Sequence, residues 1–329
     1  MDDYYQNGPL PTWIGWYVSQ LPHWFHASAV FYTLAIELVL CWMVFLPRRF
    51  RIALFFIVAP FEISIILTAN YAFLNYIVFL LGFLLLDDRF VEWAVPRGIR
   101  EFIKRMLGQH DKQQGQASSG VAPWRRIIAG VSMSVAGACL GLIFYTTFVE
   151  LIAPIFPLPD RPAQLLSPLR IADRYGLFAV MTHARYEIEF QGSNDGKTWT
   201  PYLFRYKPQD VKKAPGIYAP YQPRFDWNLW FASLGTWQEY RWVIWTEERL
   251  LHSQPQVLQL FAGNPFPDAP PKRVRAVLYR YWFTDLKTKR MDGTWWRRQL
   301  LCEYAPGLES QPDGRIMIRD VPELGTPDQ

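Results

Sequence analysis

Two carboxyl groups stand where an acid is hardest to accommodate: Glu37 and Glu62 each sit alone inside a long apolar run. An ionised carboxylate facing lipid at the bilayer centre costs about 2.5 kcal/mol or more. Such residues either build a polar, proton-handling pocket or tie helices together through hydrogen bonds, with Asn70 and Asn75 as neutral partners. The second use is favoured, because the runs contain no His, Lys or Arg to complete a relay. His183 with Glu187 and Glu189 forms another possible constellation, but acids two apart on a strand ordinarily line one solvated face. Six tryptophans, Trp227, Trp230, Trp242, Trp245, Trp295 and Trp296, are more than a small core usually absorbs and could stack on sugars or grip an apolar surface. Arg297 and Arg298 follow Trp295-Trp296 directly, and Arg and Trp are the residues that anchor interfaces. The binding candidates are therefore Trp227, Trp230, Trp295, Trp296 and Arg297, and the intramembrane polar set is Glu37, Glu62 and Asn75. The chain has no GxSxG elbow, Gly-rich phosphate loop or HExxH. Cys41, Cys139 and Cys302 form no CxxC or Cys/His metal spacing. This composition predicts a protein without metal or cofactor, and a binding protein before an enzyme.

The elements that would position these groups follow from hydropathy. Ala27 to Leu46, Ile52 to Ala69, Tyr71 to Leu86 and Ile127 to Val149 are apolar runs with almost no charge. Lengths of about 16–23 residues match what a bilayer-crossing helix needs, the third being marginal. Four runs of this kind would leave a water-soluble bundle no polar face. Charge orients them. The turn Pro47-Arg48-Arg49-Phe50-Arg51 is short and basic, hence cytoplasmic. The turn Thr68-Ala69-Asn70-Tyr71 is neutral, hence outside. The linker 87–126, with Arg89, Arg97, Arg100, Lys104, Arg105, Lys112, Arg125 and Arg126, returns to the cytoplasm, its stretch Gln113 to Gly120 reading as flexible. A helix at 127–153 then carries the chain outward again. Residues 1–26 lack Lys and Arg and hold aromatic clusters broken by Pro11 and Pro22, which fits an interfacial belt on the outer surface. Because that outer start has no signal peptide, an upstream part with at least one more span is expected.

Residues 165–329 have globular composition, after a stiff exit at Pro154, Pro157, Pro159, Pro162 and Pro168. Tyr186 to Phe190 alternates as a half-buried strand. Ser193-Asn194-Asp195-Gly196-Lys197 supplies a tight turn, and a returning strand from Thr198-Trp199 runs to about Tyr206. A strand–SNDGKTW–strand unit recurs in sandwich modules, so a β-sandwich element is expected. Asp226 is placed to cap a helix carrying Trp227, Trp230 and Phe231. One or two helices cover Trp237 to Gly263 and stop at Asn264-Pro265-Phe266-Pro267. Two long strands, Val274 to Phe283 and Thr294 to Tyr304, are joined by a loop holding Asp292-Gly293. The predicted fold is a polytopic α-helical membrane bundle followed by an α+β, β-sandwich-like extracytoplasmic domain. The basic residues form no single patch, so nucleic acid is not a predicted partner, whereas membrane lipid is.

Several of these segments, taken in order, resemble the lipase maturation factor family: Asn75 after Ala72-Phe73-Leu74, Leu86-Asp87-Asp88, Tyr175-Gly176-Leu177-Phe178, Tyr186-Glu187, Tyr221-Gln222-Pro223-Arg224-Phe225-Asp226-Trp227 with Trp230-Phe231-Ala232, Asn264-Pro265-Phe266, Tyr279-Arg280-Tyr281, and Gly293-Thr294-Trp295-Trp296. The resemblance implies a membrane-bound, chaperone-like folding factor that assists secreted, lipase-like clients without catalysing a known reaction. It implies residence in the endoplasmic reticulum membrane of a eukaryote, or the plasma or inner membrane of a bacterium, with the C-terminal domain lumenal or extracytoplasmic. It also implies that residues 165–310 bind the client. This chain departs from animal members in its missing first spans and in Gly216, near which they carry a cysteine; a thiol-redox role is therefore not expected. Two alternatives compete with this reading: a membrane enzyme whose site uses Glu37 or Glu62, and a membrane-tethered carbohydrate-binding module.

Overall fold

A computed structural model of the chain describes residues 3–94, 96, 98–99, 123–152, 156, 161–169, 171 and 182–322. They fall into two compact units. One joins residues 1–88 to 181–329, and the other covers 89–180. The second unit holds α6 (Asp88–Ala94), running into it from the first, then α7 (Pro123–Ile152) and α8 (Arg161–Leu166). Within α7, Gly130–Ile152 is apolar and long enough to cross a membrane. The basic residues expected in the 87–126 linker, the flexible stretch 113–120, and Pro154, Pro157 and Pro159 lie largely outside the described residues.

The first unit begins with α1 (Tyr4–Asn7) and α2 (Trp13–Ser19). Then come α3 (His23–Leu38), which continues through a 3₁₀ turn at Leu40–Phe45, and α4 (Arg48–Thr68). His23–Phe45 and Arg48–Thr68 are both long and apolar enough to span. The expected third span is shorter. Residues 71–86 give α5 (Leu74–Gly82) and a 3₁₀ turn Phe83–Leu85. At ~1.5–2 Å per residue this piece is roughly 20 Å long, against a hydrocarbon core of about 30 Å. Its two ends nonetheless register with α4. Asn75 Nδ2 donates to Glu62 Oε2 at 2.8 Å, and Asp87 pairs with Arg48 at the start of α4. The chain therefore returns alongside α4 to the basic turn, starting below the level at which α4 ends. The difference is made up by residues 69–73, where Ala69, Asn70, Tyr71 and Ala72 are buried.

The C-terminal part is α+β. One open antiparallel sheet contains β1 (Arg185–Ser193), β2 (Thr200–Pro201), β3 (Arg273–Phe283), β4 (Trp296–Glu303), β5 (Gly307–Ser310) and β6 (Ile316–Arg319). The order is β2-β1-β3-β5-β6, with β4 pairing the far half of the same β3 edge that β5 pairs at its start. β1 and β3 are paired along nine positions, from Arg185 opposite Tyr281 to Ser193 opposite Arg273. Even-numbered positions Tyr186, Ile188, Phe190, Val274, Ala276 and Leu278 turn into the main core. There they meet α9 (Arg224–Ala232), α10 (Trp242–Leu251) and α11 (Pro255–Leu258) through Leu229, Val243, Leu250, Leu251 and Val257, with Phe261 just beyond. This is the period-2 strand packed on amphipathic helices that the sequence pattern demands.

Three local expectations change. The strand returning from the SNDGKTW turn is only Thr200–Pro201, because the chain leaves the sheet after Tyr202 N donates to Phe190 O at 2.9 Å. The turn itself is set by Asp195, whose carboxylate accepts from the Lys197 and Thr198 amides and from the Thr198 hydroxyl, with Gly196 at φ +70°. Asp226 lies in the first turn of α9 and not at its cap: it is buried and accepts from the Lys207 amide at 3.1 Å. The segment expected as a loop between β3 and β4 contains α12 (Leu286–Asp292), capped by Asp285 and closed by Gly293 at φ +73°.

Candidate functional site

The second face of the sheet carries the unusual chemistry. The sequence reading makes Glu187 and Glu189 a solvated row; the structure buries Arg185, Glu187, Glu189, Gln191 and Ser193 together. Two pieces of chain cover them, the N-terminal segment and the loop after β2. Lys207 reaches in from that loop, its Nζ 2.7 Å from Glu187 Oε2, while Arg185 pairs with Glu187 Oε1. Lys207 Nζ also donates to Ile188 O at 2.6 Å, and Ser233 Oγ to Tyr186 O at 2.9 Å. Together with Tyr202 N, these donors satisfy the carbonyls of the outer β1 edge, where no long strand pairs. Glu189 is fully engaged: it accepts from Gln191 Nε2 at 2.7 Å, Gln209 Nε2 at 2.9 Å and Arg298 Nη1 at 3.0 Å. Tyr281, beside Arg298, is pushed up strongly by burial. Asp226 is likewise raised by burial, the Lys207 amide opposing.

The same face holds the N-terminal segment. The Arg185 guanidinium donates to the carbonyls of Gln6, Gly8 and Pro9. Five donors in a rigid fork suit a guanidinium to gathering several carbonyls at once. A second anchor lies one turn away. Asn70, 2% exposed, donates to Leu10 O and Gly216 O, both at 2.9 Å, and accepts from the amides of Tyr218 at 2.7 Å and Ala219 at 3.0 Å. The turn between α4 and α5 is thereby fixed to the loop 215–219. Tyr76 Oη, at the start of α5, donates to Ala219 O at 3.1 Å.

A third anchor is aromatic. Trp16, fully buried, donates from Nε1 to Trp295 O at 3.1 Å and packs edge-on against the Trp295 ring at 5.0 Å. Lys289 Nζ sits 3.7 Å above the centre of the Trp295 ring. Gly15 lets α2 lie against the end of α4, since a Cβ there would stand 2.6 Å from Thr68 O. Thr12 caps α2 by accepting from Gly15 N and donates its own proton to Leu67 O at 2.8 Å. Between the anchors is a cleft of about 190 Å³ lined in part by Leu10, Pro11, Lys207, Gln209, Tyr218 and Trp296.

The sequence candidates separate under this geometry. Trp227, Trp230 and Trp296 are buried at 7%, 4% and 2% exposure and serve packing. Trp295 is half-buried in the anchor with Trp16, and Arg297 is exposed, donating to Thr288 Oγ1 at 3.1 Å. Trp242 is partly buried against the core and Trp245 is exposed. His183 is exposed beside Asp3 and away from the glutamates it precedes. Glu62 is buried with Asn75, whereas Glu37 is exposed on α3. The acids of this face, Glu187 and Glu189, are held by cations and amides. Among the described residues no three metal-ligating side chains converge.

Sequence comparison decides what this arrangement belongs to. The model of the lipase maturation factor transmembrane domain matches residues 1–93, and that of the lipase maturation factor C-terminal domain matches residues 171–306. The chain belongs to the lipase maturation factor family. Lipase maturation factor 1 of Bos taurus is 29% identical over 94% of the chain and 56% of its own length. The Homo sapiens protein of that name is 29% identical over 97% of the chain and 57% of its length, and lipase maturation factor 2 of Rattus norvegicus is 29% identical over 93% and 55%. The chain thus spans a little over half the length of these curated relatives. No solved structure matches it. Within this chain, the residues the motifs missed are Arg185, Lys207 and Gln209. Their only signal is that two acids, on a strand read as half-buried, need nearby cations if the second face is also covered.

Proposed function

We propose that the chain is a membrane-bound folding or maturation factor for secreted proteins, with lipases as the client class. The relatives bear that role in their names. The carrying observation is structural: the C-terminal sheet is fixed to the membrane segment by Arg185, Asn70 and Trp16, a rigid platform built from paired acids. We place client contact along the exposed strand β4, at Arg297 on one face and Leu300 on the other, with Leu301 and the partly exposed Trp295 beside them, while Trp227, Trp230 and Trp296 shape the platform beneath. Non-catalytic action fits acids that are engaged as structural partners, Glu62 with Asn75 included. The N-terminal segment, the 69–76 turn and the sheet domain lie on one side, and the basic turn at Arg48–Arg51 lies at the opposite ends of α3 and α4. The positive-inside rule then supports a lumenal or extracytoplasmic domain.

The test uses a cell lacking the gene and secreting a candidate lipase. Restoring the chain should raise secreted activity per unit of lipase antigen at constant transcript. Arg297→Glu with Leu300→Asp should abolish that rise while leaving the protein's abundance unchanged. If restoration leaves specific activity unchanged, lipase maturation is not the role of this chain.

A further inference from the structure

The helix α12, in the loop between β3 and β4, is tied to the point where the chain enters the bilayer. Gln20 Nε2 donates to Thr284 O at 3.2 Å, three residues before α3 begins at His23. Trp16 Nε1 donates to Trp295 O on the other side of the same loop. Two residues after Thr284 the chain becomes α12, so this helix lies within about two helical turns of the membrane entry. Its sequence, Leu286-Lys287-Thr288-Lys289-Arg290-Met291-Asp292, has an outward surface of Leu286, Lys287, Arg290 and Met291, with Met291 at 66% exposure. Arg297 joins it through Thr288. The acids present, Asp285 and Asp292, leave a net positive surface, and Asp285 is engaged by the Thr288 amide. Tyr17 of α2, 44% exposed, lies beside it, its ring centre 6.0 Å from Lys289 Nζ, and Trp24 in the first turn of α3 is 68% exposed. Cations with apolar side chains among them, level with exposed Trp and Tyr, are what an interfacial helix presents to lipid headgroups.

We propose that α12 is a docking element of the C-terminal domain for anionic phospholipid headgroups of the bilayer that holds the chain's own spans, with Lys287 and Arg290 on the phosphates and Leu286 and Met291 at the acyl boundary. Lys289 is committed to the Trp16–Trp295 stack and so positions the helix. The occupant is the bilayer because the helix is tied at Thr284 to Gln20, three residues before a helix long and apolar enough to span, and its charge is complementary to acidic headgroups.

A nitroxide at Met291→Cys, in full-length chain with Cys41, Cys139 and Cys302 replaced by Ala, reports the contact by its mobility and its accessibility to oxygen against a water-soluble nickel chelate. In nanodiscs of phosphatidylcholine with about 30% phosphatidylglycerol the label should be immobilised and oxygen-accessible. Each basic residue near an acidic surface contributes about five-fold. Lys287→Glu with Arg290→Glu should therefore lower the docked-to-free ratio at least ~25-fold, and Lys287→Gln with Arg290→Gln should give a smaller loss. Both pairs replace exposed side chains, and near-UV circular dichroism of the Trp16–Trp295 contact verifies the fold. A label equally accessible to the chelate with and without phosphatidylglycerol, and unmoved by either pair, would overturn the proposal. So would immobilisation that persists in lipid-free detergent and is released by inorganic phosphate, which would mark a soluble-anion site.

Discussion

Replacing Asn70 with Ala should loosen the C-terminal domain from the membrane hairpin. Asn70 closes four hydrogen bonds, two to carbonyls of Leu10 and Gly216 and two from amides of Tyr218 and Ala219, and is itself buried. Each bond is worth ~1 kcal/mol net, and each stranded partner in a dry site loses about 1–3 kcal/mol of hydration. Water entering the vacated volume recovers part of this, so the expected loss is about 3–4 kcal/mol. For a unit of this size such a loss lowers the midpoint by roughly 6–16 °C. Hydrogen exchange in detergent micelles reads it locally: the Tyr218 and Ala219 amides should exchange on the order of 100-fold faster or more, while core amides at Ile188 and Leu278 change much less. Asn70→Asp should fall between the two, since it keeps both acceptors but turns a carboxylate toward two carbonyls. If the Tyr218 and Ala219 amides exchange at the wild-type rate in Asn70→Ala, the turn is not what holds the loop, and the reasoning fails.

Three other outcomes follow from buried charge. Glu187→Gln leaves Arg185 and Lys207 uncompensated and should destabilise by about 3–5 kcal/mol, measured by denaturant melts; an unchanged midpoint would contradict this. Glu247, fully buried with its oxygens closing no hydrogen bond of normal geometry, is raised well above its ordinary value by burial, the Ala276 amide opposing and Glu303 adding. A carboxyl raised in the folded state supports stability below its unfolded pKa of about 4.3, and that support is lost as pH rises through the folded value. Glu247→Gln should therefore raise the melting temperature more at pH 8 than at pH 5, and equal shifts would contradict this. In the membrane, Glu62→Leu strands Asn75 and should lower thermal stability in micelles by about 1–2 kcal/mol, while Glu37→Leu on the exposed side of α3 should be neutral or stabilising; equal losses would show that Glu37 has a partner too.

What could be read from the sequence was what depends on neighbours in sequence. The apolar runs at 27–46 and 52–69, the alternation of Tyr186 to Phe190, the Asn194-Asp195-Gly196 turn and the long strands at 274–283 and 294–304 are all local patterns, and each yields its element, the last as Trp296–Glu303. The length of α5 was not legible, because hydropathy counts Tyr71 and Ala72 as membrane when both are buried outside it, Tyr71 against Tyr4 of the N-terminal segment. Glu187 and Glu189 show the same limit. Their alternation fixes which face they share, but what covers that face comes from residues 6–9 and 207–209, far along the chain. Trp296 is misread for a related reason. Adjacent tryptophans on a strand point to opposite faces, and only the partner across the sheet, here Phe283 at 4.5 Å, tells which one is inside.

The sidedness of the protein rests on contact as well as charge. Residues 6–20, the turn at 69–76 and the sheet domain are joined by Arg185, Asn70, Tyr76 and Trp16, so all three must lie on one side of the bilayer. α3 and α4 then separate them from Arg48–Arg51 by the length of a span. A topology with the domain opposite the N-terminal segment would break all of these but the Asn70–Leu10 bond, and a buried guanidinium and a buried carboxamide would lose six partners at once. At ~1 kcal/mol or more for each, that loss is comparable to the whole stability of a domain. The charge rule is therefore needed only to say which side, and the basic turn at 48–51 together with the basic residues of the 87–126 linker bears on that choice. Reversing it by replacing Arg48, Arg49 and Arg51 with Glu should misplace or destabilise the whole unit, and should not move the domain alone.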